Sequence, residues 1–434
     1  MKLRPFELTL VVIFSVLIVL ALIILSGVEP KEGDGEVALN GAVSIWGTLP
    51  AESIDALITE IAVTNKAYDR VTYRYISQSD FDQVFVNALA DGKGPDLVLI
   101  PHELLVKNRS KLEAFPYESA PIRDFRSAYI DGAEIFARND GIYGFPIAVD
   151  PLVLYWNRDM FANKNLLVAP STWEAVVGEV APALTVRDAN RSIKTSALAM
   201  GTYRNITNAF PVISMLLLQG GSTLVTEESS FYKVRLNEML GSPQGKPFTT
   251  AMTFFTNFSS VSNTLYSWNR SLANDKDMFL REELAMYFGF ASEARDIEAK
   301  NPNLNFDIAE VPQGAGATVK RTYGKFYTLV PPRSASNKVG AYAVMQELGS
   351  QINTKKIADS YNLAPVYRAS LLAGSRDVYG QVAYTSAPSA RGWLNPAMEK
   401  VDDIIVKLLD DVSANRSELS TASFDAIKRF ELAY

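Results

Sequence analysis

The sequence predicts an α/β protein built as two lobes behind an N-terminal apolar segment. Three observations carry that expectation. At 434 residues the chain is too long for one ordinary core. From residue 42 a β-α-β-α-β rhythm fills about sixty residues. Third, a β-rich apolar run over residues 145–156 is broken by Asp150-Pro151. Proline cannot donate to a sheet ladder, so Pro151 predicts an edge or a crossing between sheets rather than a central strand. An acidic residue in so apolar a stretch is costly to bury without partners. A chain that changes sheet here would put Asp150 at a seam between lobes, where ligands commonly bind. A strand with a solvent-facing Asp at its bend is the other reading.

Composition narrows the functional classes. Hydrophobic residues make up 48% and charged residues 21%, which is globular composition rather than disorder. The net charge of −6 and the lack of a Lys/Arg cluster argue against a nucleic-acid surface. Cysteine is absent, which removes disulfides, thiolate nucleophiles and Cys-ligated metal centres. A single histidine, His102, leaves no multi-His metal site and almost no room for a Ser-His-Asp triad. No cofactor and no metal are expected. Catalysis by carboxylates alone stays open.

Lys2 and Arg4 precede an uncharged run over residues 8–25, long enough at helical rise to cross a bilayer core of roughly 30 Å. The basic residues on the short side predict an uncleaved anchor with the rest of the chain outside. A cleaved signal peptide is the rival, although no clear small-residue cleavage site follows. Leu25-Ser26-Gly27 is similar to the start of a lipobox, but Val28 stands where the lipidated Cys would be. Residues 29–39 are polar and Gly-containing and read as a flexible linker.

Residues 43–46 predict a strand, and Pro50 opens a helix with Ile54, Leu57, Ile58 and Ile61 on one face. Residues 71–76 predict a second strand. Phe81, Val84, Phe85 and Ala88 mark a second helix, and residues 97–100 are apolar on both faces, as a central parallel strand should be. In such sheets ligands sit at the carboxyl ends of the strands. That rule nominates Trp46, Thr48, Gln78 and Glu103. Trp46 either stacks on a ligand or covers the following helix. A carboxylate such as Glu103 accepts two hydroxyl protons in a fork, which suits vicinal diols. Ser171 and Glu174 stand at capping-box spacing and predict a helix start. The strand at residues 284–288 is followed by an expected turn at Gly289, with Phe290 a stacking candidate just beyond it. Residues 339–352 predict one amphipathic helix, and Asn395-Pro396 a last helix with Met398, Val401, Ile405 and Leu408 inward.

The order Tyr143-Gly144-Phe145-Pro146, Asp150, Tyr155-Trp156-Asn157-Arg158-Asp159-Met160-Phe161, then Pro170-Ser171-Thr172-Trp173-Glu174 resembles the hinge region of one family. It is that of the family 1 extracellular solute-binding proteins, the maltose-binding-protein-like components of ABC importers. The likeness extends loosely from residue 40 to the C-terminus. Gly94-Pro95-Asp96-Leu97 through His102-Glu103 and the segment 279–289 join the series, although Glu282 or Glu283 replaces a family glycine. The resemblance implies a two-lobed periplasmic-binding-protein fold, type II-like. It implies Glu103 and Asp150 as acidic sugar contacts, Asn208 and Phe210 as second-lobe contacts, and Trp393 as an aromatic offered to the sugar or wedged under its helix.

The expected organisation is an anchor or signal at residues 1–28 and a linker at 29–39. One lobe takes 40–149 plus about 310–347, the other 150–309 plus about 348–434. Crossings are expected at 148–151, near 309–311 and after about Glu347. The expected function is capture of a small solute, a carbohydrate by the mix of aromatics and carboxylates, in an interlobe cleft on the extracytoplasmic side, with delivery to ABC permease subunits. A glycan hydrolase using Glu103 and Asp150, or a lobe pair that senses without transporting, are the alternatives.

Overall fold

The computed structural model describes residues 39–229, 231–239 and 245–434. The expected anchor and nearly all of the linker lie outside the described residues. The chain folds as two α/β units. One ends its first pass at Val149 and resumes over Phe326–Gly374; the other comprises Asp150–Lys325 and Ser375–Tyr434.

The first unit opens with β1 (Val43–Gly47), α1 (Ala51–Thr64), β2 (Val71–Tyr75), α2 (Gln78–Ala90) and β3 (Leu97–Pro101). Ile54, Leu57, Ile58 and Ile61 of α1 are buried, at the spacing that keeps one helical face inward. Each such side chain contributes roughly 1.5–3 kcal/mol when fully buried. Strand β1 pairs in parallel with β2 on one side and β3 on the other, and all five residues of β3 are buried. A central parallel strand covered on both faces requires that apolar run.

The next strand, β4 (Phe145–Asn157), is a single stretch of thirteen residues, all buried. The expected break at Asp150-Pro151 is therefore not a break in extended structure. It is where the partners change. The ladder to the first unit ends at Val149, opposite Ala364, and the ladder to the second begins at Leu152, opposite Phe290. Pro151 lies between the two ladders, where a missing donor costs least. Gly144, just before β4, has φ +86°, and a Cβ there would stand 2.5 Å from the Leu329 carbonyl oxygen. Only glycine fits.

In the second unit the described path runs through β5 (Ile193–Leu198), α3 (Ala209–Gln219), β6 (Leu284–Phe290) and β7 (Phe306–Ala309). Strand β6 lies antiparallel to β4 and parallel to β5. Gly289 is not a turn. It pairs with Val153 inside β6, and a Cβ on it would meet the Tyr287 ring at 2.6 Å and the Tyr155 ring at 2.8 Å. The glycine is there for close packing of two tyrosines. The helix start near residue 171 also differs from expectation. Thr172 is the cap, its Oγ1 accepting from the Ala175 amide at 3.2 Å, while Glu174 accepts from the Ala315 amide at 2.9 Å. Strand β7 pairs with residues 154–157 of β4 and stays within the second unit, so the chain does not cross near residues 309–311.

The return occurs inside β8 (Thr322–Val330), between Lys325 and Phe326. Its end, from Tyr327 to Val330, pairs antiparallel with β3. The expected single helix at 339–352 is two: α4 (Lys338–Leu348) and α5 (Gln351–Ser360), parted at Gly349. Strand β9 (Ala364–Pro365) follows, and the last change of unit comes after Gly374 rather than near Glu347. The second unit then closes with β10 (Ala390–Arg391), which pairs with Thr322 and Tyr323, and with α6 (Met398–Ser413) and α7 (Leu419–Ala433). Val401, Ile405 and Leu408 of α6 are buried as expected, but α6 is followed by a further helix.

Among the described residues no helix is long and apolar enough to cross a membrane.

Candidate functional site

In the first unit the parallel arrangement of β1, β2 and β3 brings their carboxyl ends side by side. The Thr48 amide donates to the Leu99 carbonyl at 3.1 Å, which fixes the loop after β1 against β3. Trp46 is half-buried and stands opposite Arg74 in the β1–β2 register. The Arg74 guanidinium carbon lies 4.8 Å from the indole centroid, a cation–π contact that occupies one face of the ring. Glu103 follows β3 in the short turn His102–Leu104 and is 4% exposed. The half-buried Gln78, first residue of α2, donates from Nε2 to Glu103 Oε2 at 2.6 Å. Trp46, Thr48, Gln78 and Glu103 thus belong to one sheet edge. Thr48 Oγ1 is buried and has no hydrogen-bond partner among the described residues. His102 is fully buried and structural: its Nδ1 accepts from the Phe326 amide at 3.1 Å.

The second unit repeats the arrangement with different residues. Asp150 is 3% exposed. Ser292, half-buried in the turn after β6, donates from its hydroxyl to Asp150 Oδ2 at 2.6 Å and from its amide to Oδ1 at 3.1 Å. Burial pushes the Asp150 carboxyl up to about 7; the two Ser292 bonds and the charge of Lys325 oppose that rise, and Glu293 adds to it. Phe290 ends β6, and the half-buried Lys325 places its Nζ 4.8 Å from the Phe290 ring centroid. Ser292 and Lys325 were not nominated by the sequence. A serine two residues beyond an aromatic carries no signal of its own, and Lys325 sits inside an apolar strand.

The remaining nominated residues lie deeper. Asn208 is 6% exposed and donates from Nδ2 to Glu293 Oε1 at 2.9 Å and to the Phe288 carbonyl at 3.1 Å. Glu293 also accepts from the Phe290 amide, the Tyr287 hydroxyl and Lys276 Nζ, at 2.8, 2.8 and 2.7 Å. Asn208 therefore helps to fix the turn that carries Ser292. Asp275, held by Thr207, is pushed up to about 6 by burial. Phe210 is 3% exposed and Trp393 1%. Their rings pack at 5.1 Å, Trp393 packs on Phe430 at 5.6 Å, and its Nε1 donates to the Tyr434 hydroxyl at 3.0 Å. The structure gives both a core environment rather than an exposed face.

In both units, then, a half-buried neutral polar side chain donates to a buried carboxylate behind it, beside an aromatic ring that a cation covers. Such half-buried neutral groups are able to exchange hydrogen bonds with other neutral polar groups. Among the described residues no group of three His, Asp or Glu is placed to hold a metal there.

The fold is that of the α/β periplasmic binding proteins. A cyclo/maltodextrin-binding protein solved with maltotetraose superposes with a TM-score of 0.70 at 16% identity, covering 92% of this chain and 98% of that one. The sugar-binding protein MalE of Xanthomonas citri gives 0.70 at 17%, covering 90% and 97%. An ABC transporter solute-binding protein of Thermotoga lettingae TMO, bound with α-D-tagatose, gives 0.65 at 20%, covering 91% and 100%. In sequence, residues 61–384 match the family of bacterial extracellular solute-binding proteins, and the chain belongs to that family. A Brucella abortus (strain 2308) chain, named as a candidate binding protein, is 22% identical over 366 residues, 79% of this chain and 80% of that one. Membership makes this a solute-binding protein of the ABC-transporter type, not an enzyme, with its soluble body on the extracytoplasmic side.

Proposed function

We propose that the solute is a carbohydrate and that it is delivered to ABC permease subunits. The observation that carries the reading is the repeated pairing of a neutral donor with a buried carboxylate: Gln78 on Glu103 at 2.6 Å and Ser292 on Asp150 at 2.6 Å. A neutral group polarised from behind can exchange hydrogen bonds with hydroxyls without drawing a charged ligand. The sugars in the similar solved structures support it. Contacts come from Trp46, Thr48 and Gln78 in the first unit and from Phe290, Ser292 and Lys325 in the second. Glu103 and Asp150 orient the groups in front of them. Isothermal titration with maltose-, mannose- and ketohexose-type saccharides tests this. Heat with at least one, weakened in Gln78→Ala, is the expected result; no heat with any of them overturns it.

The apolar run at residues 8–25 is proposed to anchor the protein, which would raise its effective concentration near the permease without adding contacts. Fractionation of cells after an alkaline wash tests it. Full-length chain in the membrane pellet is expected; a shortened chain in the soluble fraction shows cleavage instead.

A further inference from the structure

Asp150 and Glu293 adjoin one another in the second unit but are neutralised very differently. Glu293 has an ammonium at 2.7 Å and three hydrogen-bond donors at 2.8, 2.8 and 2.9 Å. Asp150, more deeply buried than the half-buried Glu293, has the hydroxyl and amide of one residue, Ser292, as its described hydrogen-bond donors. The charged and titratable groups that face it are Lys325 from β8, Glu293 from the turn after β6, and Tyr155 further along β4. Lys325 and Glu293 have opposing effects on its charge. A carboxyl so placed exchanges its proton when a neighbouring contact changes. The neighbours that reach solvent are Ser292, Glu293 and Lys325, all half-buried, and of these Ser292 is hydrogen-bonded to the carboxylate.

We infer that solute binding is linked to a proton on Asp150, through the hydroxyl of Ser292. The inference rests on the sugar-binding reading of this edge. In the ionised state the carboxylate can only accept, so Ser292 must donate inward and its lone pairs are left for a sugar hydroxyl. In the protonated state the carboxyl donates to Ser292, whose own proton then points outward. A solute that donates to Ser292 thus favours the ionised form and releases a proton as it binds near neutral pH. Burial, which holds the carboxyl near 7, places that exchange in the ordinary working range.

Two measurements decide it. The first needs no solute: the carboxyl carbon resonance of Asp150, identified by its loss in Asp150→Asn, is followed from pH 4 to pH 9. A midpoint near neutrality that rises in Ser292→Ala is expected; a midpoint below pH 5 overturns the inference. The second uses the saccharide that gives heat in the panel above, titrated in buffers of different ionisation heat. Affinity should rise by up to tenfold per pH unit below the midpoint and level off above it, and Asp150→Asn should flatten the profile. An unchanged profile in Asp150→Asn also overturns the inference. A neutral midpoint in a protein that gives no heat with any saccharide removes the sugar reading and keeps the proton site.

Discussion

Replacing Asp150 by Asn changes how stability depends on pH, in a direction that the burial of its carboxyl fixes. Burial lifts this carboxyl from 3.8 to about 7. The folded state therefore holds the proton over a range where the unfolded chain has lost it. The stabilising contribution is complete below pH 3.8, is lost as pH rises towards 7, and stays lost above it. At about 1.4 kcal/mol per unit, the full loss is on the order of 4 kcal/mol, of which about 2.5 kcal/mol falls between pH 5 and pH 8. Asn cannot titrate, yet it keeps the local bonds. Its oxygen accepts from the Ser292 amide, and the Ser292 hydroxyl turns round to accept from its NH₂. Asp275, pushed up to about 6, contributes equally to both chains and drops out of the comparison. The assay is urea unfolding of both proteins at pH 5 and pH 8, following the transition of the second unit because two units need not unfold together. The difference between the chains should move in favour of Asn by about 2–3 kcal/mol on going to pH 8. A difference that stays constant between the two pH values would refute the burial argument.

Other outcomes follow from the same geometry. Trp393→Ala should cost about 3–5 kcal/mol of stability by emptying the space between Phe210 and Phe430, measured by thermal denaturation, while Trp393→Phe costs less and leaves saccharide affinity near wild type. Thr172→Ala should cost about 1 kcal/mol and Ser171→Ala much less, since the Thr172 hydroxyl caps the helix; equal costs in chemical denaturation would contradict the cap. Glu103→Gln should weaken saccharide binding by roughly tenfold to a hundredfold in titration calorimetry, because Gln78 loses a charged acceptor worth about 1.5–3 kcal/mol. Gly144→Ala should destabilise by more than about 1 kcal/mol, its φ of +86° and its contact with the Leu329 carbonyl being closed to a side chain.

Periodicity was enough for the β1-α1-β2-α2-β3 unit because there the buried face and the repeat of the backbone coincide. The Asp150-Pro151 pair was legible for a related reason: both residues are locally anomalous in an apolar strand. The return crossing at Lys325 and Phe326 was not legible, since β8 reads as one continuous strand and only its partners change. Gly289 shows the limit of glycine as punctuation. Its need for space comes from Tyr155 and Tyr287, which are distant in sequence or on the same strand, and nothing local tells that from a turn. Phe210 and Trp393 show the same limit for aromatics, whose bulk serves a core as well as a ligand. Ser292 matters only because Asp150, 142 residues earlier, lies within 2.6 Å of it.

The lone histidine has a practical consequence. His102 Nδ1 accepts from the Phe326 amide, so that nitrogen is unprotonated and any proton on the ring resides on Nε2. Phe326 is the residue at which the chain re-enters the first unit. With one imidazole in 434 residues, a single pair of ring-nitrogen resonances in ¹⁵N-enriched protein reports on that junction, and it needs no assignment campaign.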